Sequence, residues 1–469
     1  MHQLTPSEAA LLSAETNTNL GHQSLCLELA DAPDGSSLSI DALRGTIEAN
    51  IHHAPSLRRR VRHVPFELDS PWWIEDPHFD LDYHIRHLAV PGAKDPDALD
   101  QLLARLHERP LDRSRPLWEL YLIENPDGPT NVFVKVHTVV IEELGPLGPL
   151  WPVLAHPKRD LENLAPESWQ PDMLPSDSDL VIKALWSILR SPMRSTRHMV
   201  EATQRVPIVG GFARAVTGAI SSTVHPIEAA RNDRPVPRAW FNRPVGAHRR
   251  VARVTLPVDE LKSVRRSTGV RFHDVLLAVI SGSLRHWLIV NDSLPTEPIV
   301  ALTPLLVSGD GEELGAALVP LATEMHDALG RLESINDSMS ELTLEIEPQS
   351  AEAITNRAGT PSTLAGKASV LLLTTGAGLR LMPPFNIYLV NIPGRSEGTI
   401  EGFEIAHEHV MCPLIDGIGL SISAISHDDQ VDVTFVADRD LVPDLDVLAM
   451  RLGVELYLLR QQATAAAIA

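Results

Sequence analysis

The hydrophobic positions in the first part of the chain switch between two periods, which predicts both helices and strands. In segment 97–109, the side chains of Leu99, Leu102, Leu103 and Leu106 recur at helical spacing, and a proline ends the pattern. Two stretches rich in strand-forming residues follow, RPLWELYLIE and NVFVKVHTVVIE, separated by the turn-prone NPDGPT. We predict a helix and then a β-hairpin here, and therefore a mixed α/β domain.

The second half of the chain mixes the same two periods. A strand and then a helix are predicted for RVARVTLPVDELKSV, an apolar helix for FHDVLLAVISGSLRHWLIV, and a strand running into a turn for FNIYLVNIPG. A polar HDDQ separates two alternating runs in LSISAISHDDQVDVTFVADRDLV, which predicts a second hairpin. A C-terminal helix is predicted at about residues 445–459.

The region between the halves has a different composition. Prolines flank a stretch of apolar clusters and arginines, and residues 181–250 carry twelve basic side chains against three acidic ones. We predict an N-terminal domain over residues 1–155, a helical crossover over 156–245 and a C-terminal domain over 246–469. The basic crossover could attract anionic lipid headgroups or the phosphates of a nucleotide cofactor. It could equally be a solvated helix face whose positive charge balances the acidic domains.

Composition excludes several classes of protein. The 469 residues carry a formal net charge of -21, which argues against nucleic-acid binding. Two cysteines, Cys26 and Cys412, are too few for a disulfide framework, so we expect a reducing cytoplasm. The start MHQLTPSEAALL does not have the pattern of a secretion signal, and we find no apolar run of about 18 residues that could span a membrane.

The stretch VKVHTVVIEELG contains the candidate chemistry. His137 ends a β-branched run, and a histidine at a strand end can accept a proton from a hydroxyl, as acyl transfer to an alcohol requires. It can also simply satisfy a hydrogen bond. The order HxxxxEE does not match a zinc spacing such as HExxH, so no metal ligands are predicted. The sequence also contains no GxSxG elbow, phosphate loop or dinucleotide fingerprint.

Six stretches in order along the chain resemble the wax ester synthase/diacylglycerol acyltransferase family, within the chloramphenicol-acetyltransferase-like superfamily. They are LTPSEAALLSAE, WWIEDPHFDLDYHIR, PLDRSRPLWELYLIE, FHDVLLAVISGSLR, NIPG and VADRDLVPDL. The resemblance implies two tandem chloramphenicol-acetyltransferase-like mixed α/β domains with a tunnel between them for acyl-CoA and a lipid alcohol, either diacylglycerol or a fatty alcohol. It implies no metal and no cofactor, with acyl-CoA as a substrate.

The family's catalytic motif HHxxxDG falls on HTVVIEE in this chain. His137 keeps the first position, Thr138 stands where the resemblance implies a general-base histidine, Glu142 replaces the aspartate and Glu143 the glycine. A threonine hydroxyl is not a base near neutral pH without a base of its own. The resemblance also implies a set of substrate-binding positions. These are Trp118, Asp274, Asn391, Pro393 and Gly394.

Other positions depart from the family pattern too. His273 replaces the asparagine before Asp274, Val390 replaces a serine before NIPG and Arg395 replaces a proline after it. One hypothesis is therefore an O-acyltransferase with a rearranged site, in which His137 or Glu142 is the base. A second is a non-catalytic member that binds acyl-CoA, a lipid or a partner acyltransferase. A third is acyl transfer to an amine or a polyketide hydroxyl. We expect a cytoplasmic protein, with peripheral contact to a membrane or lipid droplet as an option.

Overall fold

The computed structural model describes residues 1–32, 34–91, 95–126, 128–140, 151–154, 174–190, 236–307, 313–346, 385–393 and 399–468. The helices in these ranges are α1 Pro6–Ala14, α2 Ile40–Asn50, α3 Leu81–His84, α4 Ala98–His107, α5 Trp151–Leu154, α6 Asp177–Arg190, α7 Val258–Thr268, α8 Phe272–Val290, α9 Ala328–Ile346 and α10 Leu445–Ile468. The strands are β1 His2–Gln3, β2 His22–Leu29, β3 Arg59–Arg62, β4 Trp72–Glu75, β5 Ile85–Ala89, β6 Trp118–Glu124, β7 Asn131–His137, β8 Arg249–Pro257, β9 Val300–Val307, β10 Glu313–Pro320, β11 Ile387–Pro393, β12 Thr399–Ile400, β13 Phe403–Met411, β14 Leu420–Ser426 and β15 Gln430–Asp438.

The local elements predicted from periodicity are confirmed. Strands β6 and β7 form the antiparallel hairpin, and β14 and β15 form the second one. Helix α4 and the apolar helix α8 lie where their hydrophobic spacing placed them. The C-terminal helix α10 is longer than predicted because helix formers, including a run of alanines, continue past position 459.

Two six-stranded mixed sheets form the framework. The first has the order β12-β13-β2-β7-β6-β5 and the second the order β10-β9-β11-β14-β15-β8. A small third sheet, β1-β4-β3, lies in the N-terminal half. The predicted α/β class is confirmed. The first sheet takes strands β12 and β13 from the C-terminal half of the chain, so the sheets do not divide at the predicted domain boundary.

The core of the second sheet lies between its strands and four helices. Apolar side chains of α7, α8, α9 and α10 pack together with those of β14 and β15 in one buried cluster. Each helix buries one stripe, as amphipathic spacing requires, and α8 is buried along most of its length. Burying such a cluster stabilises this half by about 25 cal/mol per Å² of apolar surface removed from water.

A second apolar cluster joins the two halves. It contains side chains from β7 and the residues after it, and also side chains from β9, β11 and β14 of the second sheet. Val136, Val139 and Val140 lie in the same cluster as Tyr388 and Val390. The end of β7 therefore faces the second half of the chain. No helix of the described ranges is both long and apolar enough to cross a membrane.

Candidate active site at the end of strand β7

His137 is the last residue of a central strand. Strand β7 is flanked by β2 and β6, and all seven of its residues are buried. The His137 backbone N–H donates to the Leu117 carbonyl at 3.0 Å, and the Thr138 N–H donates to the Gly21 carbonyl at 2.8 Å. Paired backbones on both sides hold the strand end in place, so its side chains have defined directions.

Both ring nitrogens of His137 have neighbours. Nδ1 accepts a hydrogen bond from the Val139 N–H at 3.2 Å. Nε2 lies 3.5 Å from Oε2 of Glu15, an ion-pair distance that is longer than an ordinary hydrogen bond. Because Nδ1 is an acceptor, its lone pair is used and the ring proton belongs on Nε2, facing the carboxylate. The imidazole thus lies between a backbone amide and an acid.

Gly21 closes the other face of the ring. A Cβ at this position would lie 2.6 Å from Nε2 of His137, inside the contact distance of any real side chain. Glycine is therefore required at this position for the imidazole to pack directly against the backbone. This close approach fixes the ring plane and leaves it buried.

Glu15 is the acid of this arrangement. Helix α1 begins with a capping box between Thr5 and Glu8 and ends at Ala14, so Glu15 is the first residue beyond it. Its carboxylate accepts hydrogen bonds from the Gly21 N–H at 3.2 Å and from Nε of Arg113 at 3.0 Å. Burial raises the pKa of Glu15, but His137 and Arg113 together outweigh burial and lower it to about 2. Glu15 is ionised at neutral pH.

The Thr138 side chain points toward the start of the neighbouring strand β2. Its hydroxyl donates to the Gly21 carbonyl at 2.8 Å and the side chain is buried. Two hydrogen bonds to one carbonyl, from the backbone and the hydroxyl of Thr138, tie the end of β7 to the start of β2. Among the described residues the position of the expected base is therefore occupied by a structural hydroxyl. Glu142 and Glu143 lie outside the described residues, and their predicted roles stay predictions.

Trp118 lies in the core of the N-terminal half. Its indole N–H donates to the Leu57 carbonyl at 2.7 Å, and its ring stacks on His84 with centroids 4.4 Å apart. Burial lowers the pKa of His84 to about 4, so the stacked imidazole is neutral at pH 7. The predicted contact of Trp118 with a substrate stays a prediction, and its observed contacts are those of a packed aromatic side chain.

The described residues among the remaining predicted ones, Asp274, Asn391 and Pro393, lie in the second half of the chain. Asp274 is buried at the start of α8, where Nε of Arg271 lies 3.0 Å from its Oδ2. Burial raises the pKa of Asp274, and Arg271 opposes that shift. Nδ2 of Asn391 lies 2.9 Å from Nδ1 of His273, the residue that replaces the family's asparagine.

Strand β11 links this group to the end of β7. Val390 packs in the cluster that contains Val136 and Val139, and Asn391 follows it directly. Pro393 ends β11, paired in parallel with Ser426 of β14. Gly394 lies outside the described residues. The structure thus brings β7 and β11 to one apolar region.

The sequence did not identify Glu15, Arg113 or Gly21 as site residues. Glu15 and Arg113 stand inside two of the stretches that resemble the family, LTPSEAALLSAE and PLDRSRPLWELYLIE. That was the only signal available, because residues 98 positions apart meet through the fold alone.

Sequence profiles of known families match nearly the whole chain. The wax ester synthase/diacylglycerol acyltransferase catalytic domain matches residues 4–276, and the C-terminal domain of the same family matches residues 310–460. A Mycobacterium tuberculosis protein, provisionally named as a diacylglycerol O-acyltransferase, is 29% identical over 97% of this chain and 98% of its own.

Solved structures agree with the fold. The wax ester synthase/diacylglycerol acyltransferase from Marinobacter aquaeolei superposes with a TM-score of 0.70 at 22% identity, covering 98% of this chain and 100% of that one. The starter condensation domain of rhizomide synthetase reaches a TM-score of 0.50 at 13% identity, covering 99% and 94%. These likenesses show the two-domain chloramphenicol-acetyltransferase-like fold. With the two profile matches they lead to one conclusion: the chain belongs to the wax ester synthase/diacylglycerol acyltransferase family.

Proposed function

We propose that the protein binds acyl-CoA and a lipid alcohol between its two halves and transfers the acyl group slowly. Family membership and the names of its relatives support the substrates, with diacylglycerol or a fatty alcohol as the acceptor. We place the acyl chain near Thr138, where the end of β7 and strand β11 contribute to one apolar cluster. The reaction is direct: the hydroxyl oxygen attacks the thioester carbonyl, the C–S bond breaks, and the CoA thiolate leaves and takes up a proton.

We expect slow transfer because of the hydrogen bonds that His137 and Thr138 make. The attacking hydroxyl must give up its proton, and a base can take it only through a free lone pair within about 2.6–3.2 Å. Nδ1 of His137 already accepts from Val139, and Nε2 faces the Glu15 carboxylate. The Thr138 hydroxyl donates to Gly21. Neither side chain offers a base in this arrangement, so we assign His137 a positioning role.

The same observation favours a second candidate function. If Glu142 does not supply the base, the protein is a pseudoenzyme, that is, a non-catalytic family member that binds acyl-CoA or a lipid. A carboxylate can act as a base here only if its pKa is raised in a dry tunnel. No resident cofactor enters either version, because acyl-CoA carries the activated acyl group.

Measuring binding and turnover separately tests the proposal. Calorimetry with a non-hydrolysable acyl-CoA analogue should show saturable binding to wild type, and CoA release should be about 10²- to 10⁴-fold below that of a family member with both histidines. CoA release should rise when diacylglycerol or fatty alcohol is added. Turnover equal to that of the two-histidine enzyme would contradict the proposal, and so would failure to bind acyl-CoA.

We further propose that the basic crossover gives the protein a reversible affinity for anionic membranes or lipid droplets. Residues 156–173 and 191–235 of this crossover lie outside the described residues, whereas helix α6 between them exposes Ile182 and Trp186 four positions apart. Attraction between basic side chains and anionic headgroups weakens with salt. Liposome flotation should therefore depend on anionic lipid and fall when Arg190, Arg194 and Arg197 are replaced by serine. Flotation that ignores both changes would contradict it.

A further inference from the structure

Strand β13 carries a cluster of polar side chains away from the β7 site. It pairs with β2 in the first sheet, and the side chains at alternate positions His407 and His409 point toward β15 of the second sheet. The two imidazoles are nearly parallel, with centroids 6.1 Å apart. Asp432 of β15 faces them and is buried. Side chains from both sheets therefore meet at one point.

The geometry of this cluster is compact. Nδ1 of His407 lies 2.9 Å from Oδ1 of Asp432. One ring nitrogen from each histidine and one oxygen of Asp432 all lie within 4.8 Å of one another. Ligand atoms around a tetrahedral zinc ion, with bonds of roughly 2.0–2.2 Å, are about 3.3–3.6 Å apart. Small side-chain rotations therefore bring the three atoms to bonding distance.

The charges around the cluster favour a cation. Nε2 of His407 lies 3.9 Å from Oε1 of Glu28, and Arg253 pairs with both Glu28 and Asp100. Glu28 and Asp100 thus share Arg253, whereas the charged neighbours of Asp432 are His407 and, at 3.4 Å from its Oδ2, Nε2 of His427. The hydrogen bond to Asp432 raises the pKa of His407 and of His427, so a divalent cation at this point would take the place of a proton on the His407 imidazole beside the buried carboxylate.

The neighbours hold the three candidate ligands in place. Nδ1 of His409 is 3.1 Å from the Thr434 hydroxyl, which leaves its other nitrogen for a ligand role. The Thr255 hydroxyl donates to Oδ1 of Asp432 at 2.8 Å, and the Glu408 N–H donates to Oδ2 at 3.0 Å. Such outer contacts orient ligands and are a regular feature of metal sites in proteins. The His407 side chain is 28% exposed, which provides an entry path.

We propose that His407, His409 and Asp432 bind a divalent transition-metal ion of the zinc class that ties strand β13 to strand β15. Two imidazoles and one carboxylate suit zinc, cobalt or iron more than magnesium or calcium, which prefer oxygen ligands. The fourth position is left for water, as in sites with three protein ligands. The sequence predicted no metal ligands because these residues stand on two strands that only the fold brings together.

This site is separate from the end of β7. His409 pairs with Cys26 on β2, whereas His137 pairs with His22 on the same strand. Four residues of strand place the two rows roughly 13 Å apart. The metal would therefore join the two sheets without contact to the reacting groups, and the inference does not rest on the proposed function.

Cobalt(II) titration of the metal-free full-length protein tests the inference. Wild type should develop visible d–d absorption that saturates at one equivalent and disappears on addition of one equivalent of zinc. His407→Ala and Asp432→Asn should weaken cobalt binding by more than about 100-fold, since each removes a ligand. His87→Gln is the matched control, because His87 also pairs with a carboxylate, Glu124, but lies outside the cluster. The control should bind as wild type does.

A second readout separates loss of a ligand from loss of the fold. Urea unfolding of each metal-free variant should remain cooperative, and zinc should raise the midpoint of wild type and of His87→Gln but not of the ligand variants. Wild type that binds no stoichiometric cobalt would overturn the inference. Cobalt spectra and zinc shifts that are unchanged in the His407→Ala and Asp432→Asn variants would overturn it as well.

Discussion

At the scale of single residues, the hydrogen bonds at the end of β7 decide what the site can do. A general base needs a free lone pair. The Nδ1 lone pair of His137 already accepts a hydrogen bond from Val139, and the hydroxyl of Thr138 donates its proton to the Gly21 carbonyl. The match to the HHxxxDG motif identified His137 and Thr138 from the sequence. It could not give the partners, because Glu15 and Gly21 approach His137 only through the packing of α1 and β2.

The first residue-scale prediction concerns Glu15. Its folded-state pKa of about 2 is below the ordinary 4.5, so the ionised carboxylate stabilises the folded protein above pH 4.5 and loses this effect as the pH falls toward 2. Glu15→Gln should lower the free energy of unfolding by about 1–3 kcal/mol at pH 7. The difference from wild type should shrink when the measurement is repeated near pH 3.

Urea denaturation at the two pH values checks this. The exposed Glu48→Gln variant serves as the control and should match wild type at both. A loss of stability in Glu15→Gln that is the same at pH 7 and pH 3 would mean that the ionised carboxylate is not what stabilises this corner.

At the scale of elements, local patterns were sufficient for the helices α4, α7, α8 and α10 and for the hairpins β6–β7 and β14–β15, but the sequence analysis made no prediction for helices such as α1, α2 and α9. The hairpin of β6 and β7 and the helix α8 follow from period and turn residues, which are local properties. The pairing of β13 with β2 does not, because its partners are almost 400 residues apart. A strand recruited from the other half leaves no local signal beyond its own alternation.

The packing of helix α8 gives an element-scale prediction. A Cβ at Gly282 would overlap Oε2 of Glu455 on α10 and would lie 2.8 Å from Nη2 of Arg331 on α9. Glu455 and Arg331 form a buried ion pair with N···O 3.2 Å. Gly282→Ala should therefore push this pair apart and lower the free energy of unfolding by about 1–3 kcal/mol.

The chain offers a matched control within the same helix layer. Gly453 of α10 has open space where its Cβ would be, so Gly453→Ala should be neutral or stabilising by up to about 1 kcal/mol. Thermal unfolding of both variants distinguishes them. Equal midpoints would show that the close approach of α8 to α10 is not limiting.

At the scale of the whole molecule, the two large sheets are linked by strands and by a shared apolar cluster. The N-terminal sheet is completed by β12 and β13, and the apolar cluster at the end of β7 takes side chains from both halves. The domain boundaries predicted at 155 and 246 stay predictions. The first sheet includes two strands, β12 and β13, that lie beyond both of them in the sequence. The first sheet takes strands from both halves of the chain, whereas the second sheet takes all of its strands from the C-terminal half.

This interlock predicts the behaviour of a fragment. Residues 1–245 without β13 leave the edge of β2 unpaired and part of the shared cluster exposed. We expect this fragment to aggregate or to unfold without cooperativity, whereas the full chain unfolds cooperatively. Urea titration followed by circular dichroism compares them. A soluble fragment with a sharp transition would show that the N-terminal half does not need the strand from the C-terminal half.

We propose that this family member lacks the histidine base that drives acyl transfer, and steady-state CoA release tests this proposal most directly. Assays with diacylglycerol and with a fatty alcohol should compare wild type, Thr138→His, and the combined Thr138→His, Glu142→Asp, Glu143→Gly variant. We expect low wild-type turnover, incomplete recovery in the single variant, and more in the combined one, because a base contributes about 10²- to 10⁴-fold only when it is aimed at the hydroxyl. Robust wild-type turnover that survives both His137→Ala and Glu142→Gln would contradict the account and place the chemistry elsewhere.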